Sequence, residues 1–466
     1  MLFNSYIFLF AFLPVVLIGW WGLRGARTRL AFLTVASWIF YAYWDWHFLP
    51  LMLLSTTVDY IAGGSIASTD DPRRRKLWLV AALTFNLALL AYFKYAGFFL
   101  GSLDGAGRWF GLDPNIPIVH VVLPIGISFY TFNSMSYTID VFRRQVAPAK
   151  SAIHYAAFVA MFPHLIAGPI VRYSSIEGQL ANLHRRLTWE LAASGLFFFS
   201  CGMVKKLLIA DNLAPHVDRL FHAHNSLGVV SGWAAAVGYS LQLYFDFSGY
   251  SDMAVGLAFL LGFRFPQNFD SPFKSANISD FWRRWHMSLS FWLRDYLFIP
   301  LGGSRGTGLH TLRNLGITMF LGGLWHGAQW TFAIWGLLHG CFLIIHNLAV
   351  GAGLTPSSKL VNRALTFACV CSAFVIFRSP DMHVAGDVLG SMFGLNGIDS
   401  PTRARALVPS TFALMVAGLL LFVNMSPNTW EIGTRPRRRY GLALGVGLGI
   451  AVLTIGNPSP FLYFQF

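Results

Sequence analysis

The chain has 466 residues, 55% of them hydrophobic and 12% charged, with a mean hydropathy of +0.54 and a formal net charge of +14. Soluble domains carry about 25% charged residues, so the deficit excludes an ordinary soluble globule and points to a polytopic membrane protein. The positive charge sits in short clusters between apolar runs (Arg24, Arg27 and Arg29; Arg73 to Lys76; Arg143 and Arg144; Arg435 to Arg439), the pattern of cytoplasmic loops facing anionic lipid, and argues against nucleic-acid binding.

The first apolar run, Tyr6 to Leu23, has no positive n-region and no small-residue cleavage site after it, and reads as a retained span. Further runs cover 30–44, 48–64, 77–100, 118–141, 152–171, 190–210, 226–246, 312–348, 364–378, 407–425 and 440–456, with 312–348 long enough for two spans. At about 20 residues per crossing, this predicts an all-α polytopic membrane protein with roughly 10–13 transmembrane helices plus re-entrant or interfacial helices. The whole chain, 1–466, reads as one integral-membrane domain. Basic loops after the first, third and fifth spans place the N-terminus outside. Gly441, Gly445 and Gly449 predict a tight packing seam in the last span.

Cys201, Cys341, Cys369 and Cys371 lie in apolar stretches without metal spacing, so buried reduced thiols are expected. His222-x-His224 is a weak metal pattern in a polar loop, and no metal site is expected. Gly302-x-Ser304-x-Gly306 matches a nucleophile-elbow spacing, but the strand such an elbow needs before it is missing.

Three constellations put polar chemistry beside apolar sequence. In GGLWHGAQW (322–330), a helix over 316–348 would put His326 on one face with Gly322, Gly323, Gln329, Trp330 and Ala333. The imidazole would lean over the two glycines, leaving a cleft with Gln329 beside it and Trp330 as a wall. The residues alone leave two readings open: a histidine bonded to a neighbouring helix, or a base, since a neutral imidazole accepts a proton near neutral pH. His339 and His346 share a different face.

The second constellation runs from Asp280 to Tyr296. Ser279 or Asp280 can cap a helix whose stripe is Trp282, Trp285, Leu289, Trp292 and Tyr296, with Arg283, Arg284, Arg294 and Asp295 mostly off it. It reads either as an interfacial anchor, or as a site in which arginines (Arg283, Arg284 and, in the loop after it, Arg305) bind donor phosphates while His286 lines a cavity. The third comprises the broken helix LPIGISFYTF (123–132) and YFDFSGYSD (244–252), where Asp246 and Asp252 flank a glycine-containing turn. A charge at a lipid-facing helix centre would cost about 2.5–3.5 kcal/mol, so both must face water, a partner or a site. Gln329, Trp330, Asp295 and Asp246 are further candidate substrate contacts.

RFPQNFDSPFKSANISDFWRRWHMSLSFWLRDYLFIPLGGSR (264–305) resembles the membrane-bound O-acyltransferase family, in particular its bacterial alginate-type branch. So do LPIGISFYTFNSMSYTIDVFRR (123–144), FPHLIAGPIVRY (162–173), YSLQLYFDFSGYSDMAVG (239–256), LGGLWHGAQWTF (321–332) and the ending PFLYFQF (460–466). The resemblance implies a funnelled helical bundle in a bacterial inner membrane. It implies that His326 is the catalytic histidine where a cytoplasmic and an external opening meet, and that His286 is the second family histidine. It implies acetyl-CoA or another acetyl thioester as donor, with no permanently bound cofactor. Acetyl groups would pass to periplasmic partners that modify a secreted polysaccharide such as alginate or cellulose. Asn133 and His164 depart from the family, where glutamine is common at both positions. A non-catalytic acetyl-export channel, a sugar or lipid transporter, and D-alanyl transfer to teichoic acid are the competing readings; no inverted hydropathy repeat favours the transporter.

Overall fold

Apolar runs punctuated by proline, glycine and short polar caps fold here as helices, and no strand occurs among the described residues. The structure, a computed structural model, describes residues 1–466 except 113–115, 118–120, 185, 355, 434–437, 457–460 and 463–466. Arg435 and Arg437 of the last basic cluster, the start of the expected span 118–141, and the ending 460–466 apart from Phe461 and Leu462 therefore lie outside what is described.

The chain divides into two compact units, Met1–Leu196 with Ala254–Pro266, and Phe197–Met253 with Gln267–Phe466. The first holds α1 (Leu13–Gly22), α2 (Ala26–Ala42), α3 (Leu49–Ala67), α4 (Pro72–Leu90), α5 (Ala96–Trp109), α6 (Ile127–Phe142), α7 (Ala152–Ala160), α8 (Phe162–Leu165) and α9 (Tyr173–Ala181). α10 (Trp189–Met203) leads from the first unit into the second, and α12 (Val229–Leu260) leads back. The second unit also holds α11 (Asp211–His222), α13 (Ile278–Trp282), α14 (Met287–Leu293), α15 (Gly308–His326), α16 (Trp330–Gly351), α17 (Lys359–Arg378), α18 (Met382–Met392), α19 (Pro401–Leu407), α20 (Ser410–Met425), α21 (Thr429–Gly433) and α22 (Arg438–Leu453).

The chain is an all-α, multi-pass membrane protein. Among the described residues, five helices are long and apolar enough to cross a bilayer, Trp46–Ala67, Pro72–Trp109, Trp189–His222, Trp330–Gly351 and Lys359–Arg378, with a sixth if the bent pair Pro401–Leu407 and Ser410–Met425 counts as one. That is fewer than the 10–13 read from apolar runs. Several runs fold instead as shorter, interrupted or polar-lined helices. α6 is the clearest: it begins only after Gly126, whose φ of 76° is left-handed, and it is buried along nearly its whole length.

In the first unit, polar side chains join helices rather than facing lipid. Asn86 Nδ2 donates to both Asp59 oxygens at 3.0 and 2.9 Å, and Thr138 Oγ1 donates to Asp59 Oδ1 at 3.1 Å. This links α3, α4 and α6. Two residues of the basic clusters are buried rather than lipid-facing. Arg75 donates to Ile66 O at 2.7 Å and Phe142 O at 2.8 Å, neutralising two helix C-termini. Arg29 stacks 4.1 Å over Trp20 and donates to His184 O at 2.6 Å.

In the second unit, Asp246 and Asp252 lie on one uninterrupted helix, α12, and not about a turn. Opposite them the chain makes a π-helical turn, Val204–Ala210, which presents two consecutive lysines. Lys206 Nζ meets Asp246 at 2.7 Å and Asp211 at 2.9 Å, and Lys205 Nζ meets Asp252 at 2.6 Å. Gly202 and Gly249 let the two backbones approach; a Cβ on Gly249 would lie 2.9 Å from Gly202 O.

The expected seam of Gly441, Gly445 and Gly449 faces open space, whereas a Cβ on Gly447 would meet Val204 at 3.0 Å. A small-residue period fixes a face, but only the neighbouring helix decides which face is used. The four cysteines are free, as expected, but only Cys371 is buried and Cys341 is exposed on the outer face of α16.

Candidate functional site

His326 is the last residue of α15, and it is buried, at 6% exposure. The expected helix over 316–348 breaks at Gly327–Gln329, and α16 doubles back along α15. A Cβ on Gly327 would run into the Phe332 ring, so the break needs glycine there. A Cβ on Gly323 would collide with Phe332 O and stand 2.9 Å from Gly336 Cα. Gly323 therefore serves close packing of α15 on α16, while a Cβ on Gly322 would meet the Leu293 side chain of α14 at 3.0 Å, so the cleft inferred from the sequence is filled by backbone on one side and a side chain on the other. Beyond the break Gln329 and Trp330 are exposed, whereas His326 is buried. The wall beside the imidazole is Trp335 (5.0 Å between ring centroids), Trp325 (5.2 Å) and Phe377 from α17 (5.4 Å).

The expected helix over 280–296 also breaks, and the break is what places His286. Asn277, not Ser279 or Asp280, caps α13, accepting from Asp280 N at 2.8 Å. α13 ends at Trp282 and α14 starts at Met287, with His286 at the junction in the left-handed region, φ 44° and ψ 52°. A non-glycine residue there stores backbone strain. Neighbouring hydrogen bonds hold it: Met287 N donates to Asn268 O at 2.9 Å, and Asp270 N donates to Arg284 O at 2.9 Å.

His286 is fully buried, and its Nδ1 lies 3.2 Å from Asn268 Oδ1. Asn268 Nδ2 donates to Ser251 Oγ at 3.0 Å, and Oδ1 also accepts from Ser288 Oγ at 2.8 Å. An amide oxygen only accepts, so with this orientation Nδ1 carries the His286 proton and Nε2 is left as the ring's acceptor nitrogen. Burial holds the imidazole at about 3, far below the usual histidine range, so it is neutral near pH 7.

The two histidines meet. Their ring centroids are 6.4 Å apart, and Trp325 touches both, 6.1 Å from His286 and 5.2 Å from His326. Trp335 extends the cluster to His339, 4.8 Å away. The sequence set His339 on a different face from His326; the break between α15 and α16 brings it near. Neither His339 ring nitrogen has a hydrogen-bond partner among the described residues, which is uncommon for a buried polar group. Asn268 lies within the motif 264–305, yet no spacing rule singles out an asparagine that orients a ring this far along the chain.

Next to the cluster, a cavity of about 420 Å³ opens between α13, α14, α15 and α16. Arg283, Arg294, Ser290, Thr318 and Asn347 line it, and its wall Trp282 packs against Trp335 (5.9 Å) and His339 (5.1 Å). Among the candidate arginines, Arg283 reaches this cavity. Arg284 instead staples the turn, bound to Asp280 at 2.9 Å and Asp270 at 3.5 Å. Arg305 lies exposed in the following loop. Asp295 pairs with Arg294 at 2.6 Å, and Asp246 is occupied by Lys206.

Residues 131–373 match the model of MBOAT, the membrane-bound O-acyltransferase family. The chain is 48% identical to "Probable alginate O-acetylase AlgI" of Pseudomonas syringae pv. tomato, across 90% of this chain and 80% of that one. It is 43% identical to the protein of the same name from Pseudomonas putida, over the full length of both. The chain belongs to the membrane-bound O-acyltransferase family. It is also 38% identical to the peptidoglycan O-acetyltransferase of Helicobacter pylori, over 85% of this chain and 81% of that one. The buried histidine pair thus sits in an O-acyltransferase, within the matched region. The two departures from the family pattern prove to be partners: Asn133 Nδ2 and His164 Nδ1 are 3.3 Å apart, both buried.

Asn268→Ala is expected to free the His286 ring and to lower the rate of acyl transfer by up to about 10²-fold, the size of effect a 1 Å misplacement produces. The loss should fall on kcat with KM for the donor little changed, as steady-state kinetics on purified protein would read.

Proposed function

We propose that this acyltransferase takes an acetyl group from a cytoplasmic thioester, acetyl-CoA, and passes it across the inner membrane toward hydroxyls of a secreted polysaccharide of the alginate class. The observation that carries this reading is the buried pair His286 and His326 beside a cavity bearing Arg283 and Arg294. The arginines hold the donor's phosphates. His326 takes the proton of the acceptor hydroxyl, and the oxygen attacks the thioester carbonyl carbon. The carbon–sulfur bond then breaks, and the leaving thiolate takes up that proton. His286 keeps the substrate in line. Trp325, Trp335 and Phe377 exclude water, which would otherwise hydrolyse the thioester. The acceptor is a polymer hydroxyl or a serine of a periplasmic partner that relays the acetyl group.

The relatives' printed names, alginate O-acetylase and peptidoglycan O-acetyltransferase, support acetyl as the group and a glycan as its destination. The test is purified protein in proteoliposomes with radiolabelled acetyl-CoA outside and an acceptor oligosaccharide, with the periplasmic partners, inside. Release of free thiol with label on the acceptor is expected. Passage of label without thiol release would make the protein a channel. Activity with a D-alanyl carrier alone would move it to teichoic acid chemistry.

A further inference from the structure

The turn after α11 and the first two turns of α18 bring together three metal-ligating side chains that acyl transfer does not use. The pattern His222-x-His224 suggested little, and the structure separates those two residues. His222 turns back on its own helix, with Nδ1 2.6 Å from Asp218 O. His224 instead meets α18: its Nδ1 lies 2.7 Å from Asp387 Oδ2, and His383 Nδ1 lies 3.5 Å from the same oxygen. One ligand atom from each of the three lies within 4.8 Å of the others. Donors sharing one ion at about 2.0–2.2 Å stand about 3–3.5 Å apart in tetrahedral or octahedral sites. Small rotations, mostly of the exposed His383 ring, would complete such a set.

The scaffold around these side chains is already tied. His383 and Asp387 are i and i+4 on α18 and so share a face. Ser391 Oγ and Asn396 Nδ2 donate to Asp387 O at 2.9 and 3.1 Å. The turn after His224 is pinned by Asp399, which accepts from Gly228 N, Val230 N and Ser231 N at 2.9–3.1 Å. Trp233 Nε1 donates to Met392 O at 3.0 Å, closing the other end of the same contact. The backbones that carry the ligands are therefore positioned without an ion. The group also lies where two candidate spans end, Trp189–His222 and Lys359–Arg378, so water and dissolved ions can reach it.

We propose that His224, His383 and Asp387 bind one divalent transition-metal ion of the zinc class, clipping the loop after α11 to α18. Two imidazoles and one carboxylate suit a borderline cation with water in the remaining position, and suit calcium or magnesium poorly. The competing reading is a bare histidine–carboxylate pair.

Tag-free, full-length protein in detergent would be stripped with EDTA, desalted and titrated with zinc chloride, with bound metal measured after gel filtration. One equivalent of zinc per chain is expected in the wild type. His383→Ala and Asp387→Ala should each weaken binding by at least about tenfold, since even loss of a group that only orients a ligand costs 10–100-fold. His222→Ala should bind as the wild type does. Zinc should raise the melting temperature of the wild type and not that of Asp387→Ala. His383 is exposed and Asp387 half-buried, and matched gel-filtration profiles will show that the variants fold. No retained zinc in the wild type, or equal retention in both ligand variants, overturns the site in favour of the bare pair.

Discussion

Replacing His326 by alanine is expected to lower acyl transfer by roughly 10²–10⁴-fold, the usual contribution of a positioned general base. Expression in the membrane and the gel-filtration profile in detergent should stay those of the wild type. The substitution removes ring packing against Trp335 and Phe377, and α15 already ends at this residue, so no helical turn depends on it. His326→Asn, closer in volume, should show the same loss of rate, which separates chemistry from packing. The measurement is acceptor acetylation by purified protein. Wild-type rates in His326→Ala would remove this residue from the chemistry and leave it as a packed bundle histidine. In direct transfer the carbon–sulfur bond breaks only after the acceptor attacks, so thiol release should fall together with acceptor acetylation; thiol release that persisted would point to hydrolysis or an acyl-enzyme instead.

Lys206→Met is expected to destabilise the protein by about 3–5 kcal/mol, the typical result of removing one partner of a buried ion pair. Lys206 and Asp246 are 1% and 2% exposed, and the substitution leaves two carboxylates, Asp246 and Asp211, facing an apolar side chain. The further substitution Asp246→Asn should recover much of the loss. It removes the uncompensated charge yet keeps an oxygen to accept from Leu462 N, which lies 3.0 Å from Asp246 Oδ2. Thermal melting in detergent reads both variants. Equal stability of Lys206→Met and wild type would show that the pair is solvated and that Asp246 is open to a ligand after all.

Much of this protein is legible from its residues one segment at a time. Runs such as 364–378 and 407–425 became α17 and α20 with ends within a few residues of those expected. Proline and glycine at 124 and 126 stand just before α6, but the described residues ahead of them are not helical, so the expected broken helix is a helix start. The same local rules failed at GGLWHGAQW and at 280–296. Both stretches carry an unbroken helical period, and hydropathy alone continues the helix through them. In one case the break follows from Phe332 packing onto Gly327. In the other it follows from Asn268 and Asp270 bonding to the backbone around His286. The second cause lies outside the window that a periodicity reading uses, and the first is a packing contact to which periodicity is blind. The consequence for the site is large, since Trp335, Phe377, His339 and Asn268, which no local period points to, gather about the two histidines.

Arginine roles divide in the same way. Arg283 and Arg284 are indistinguishable in sequence. The turn of α13 sends Arg283 to the cavity and Arg284 to Asp280 and Asp270. Asn133 and His164, read as two separate departures from the family, turn out to face each other.

The sequence by itself determined that this chain is an all-helical membrane protein, that it carries acyltransferase motifs, and that His286 and His326 lie inside them. Transfer of apolar side chains from water is a property of composition and short range, so it survives without knowledge of the fold. Only the tertiary structure decided which polar groups meet: the two histidines across Trp325, the lysines with Asp246 and Asp252, and His224 with α18. Burying a polar group is costly unless a partner waits at bonding distance, and in a packed bundle that partner comes from whichever helix lies opposite, not from the next turn of the same one.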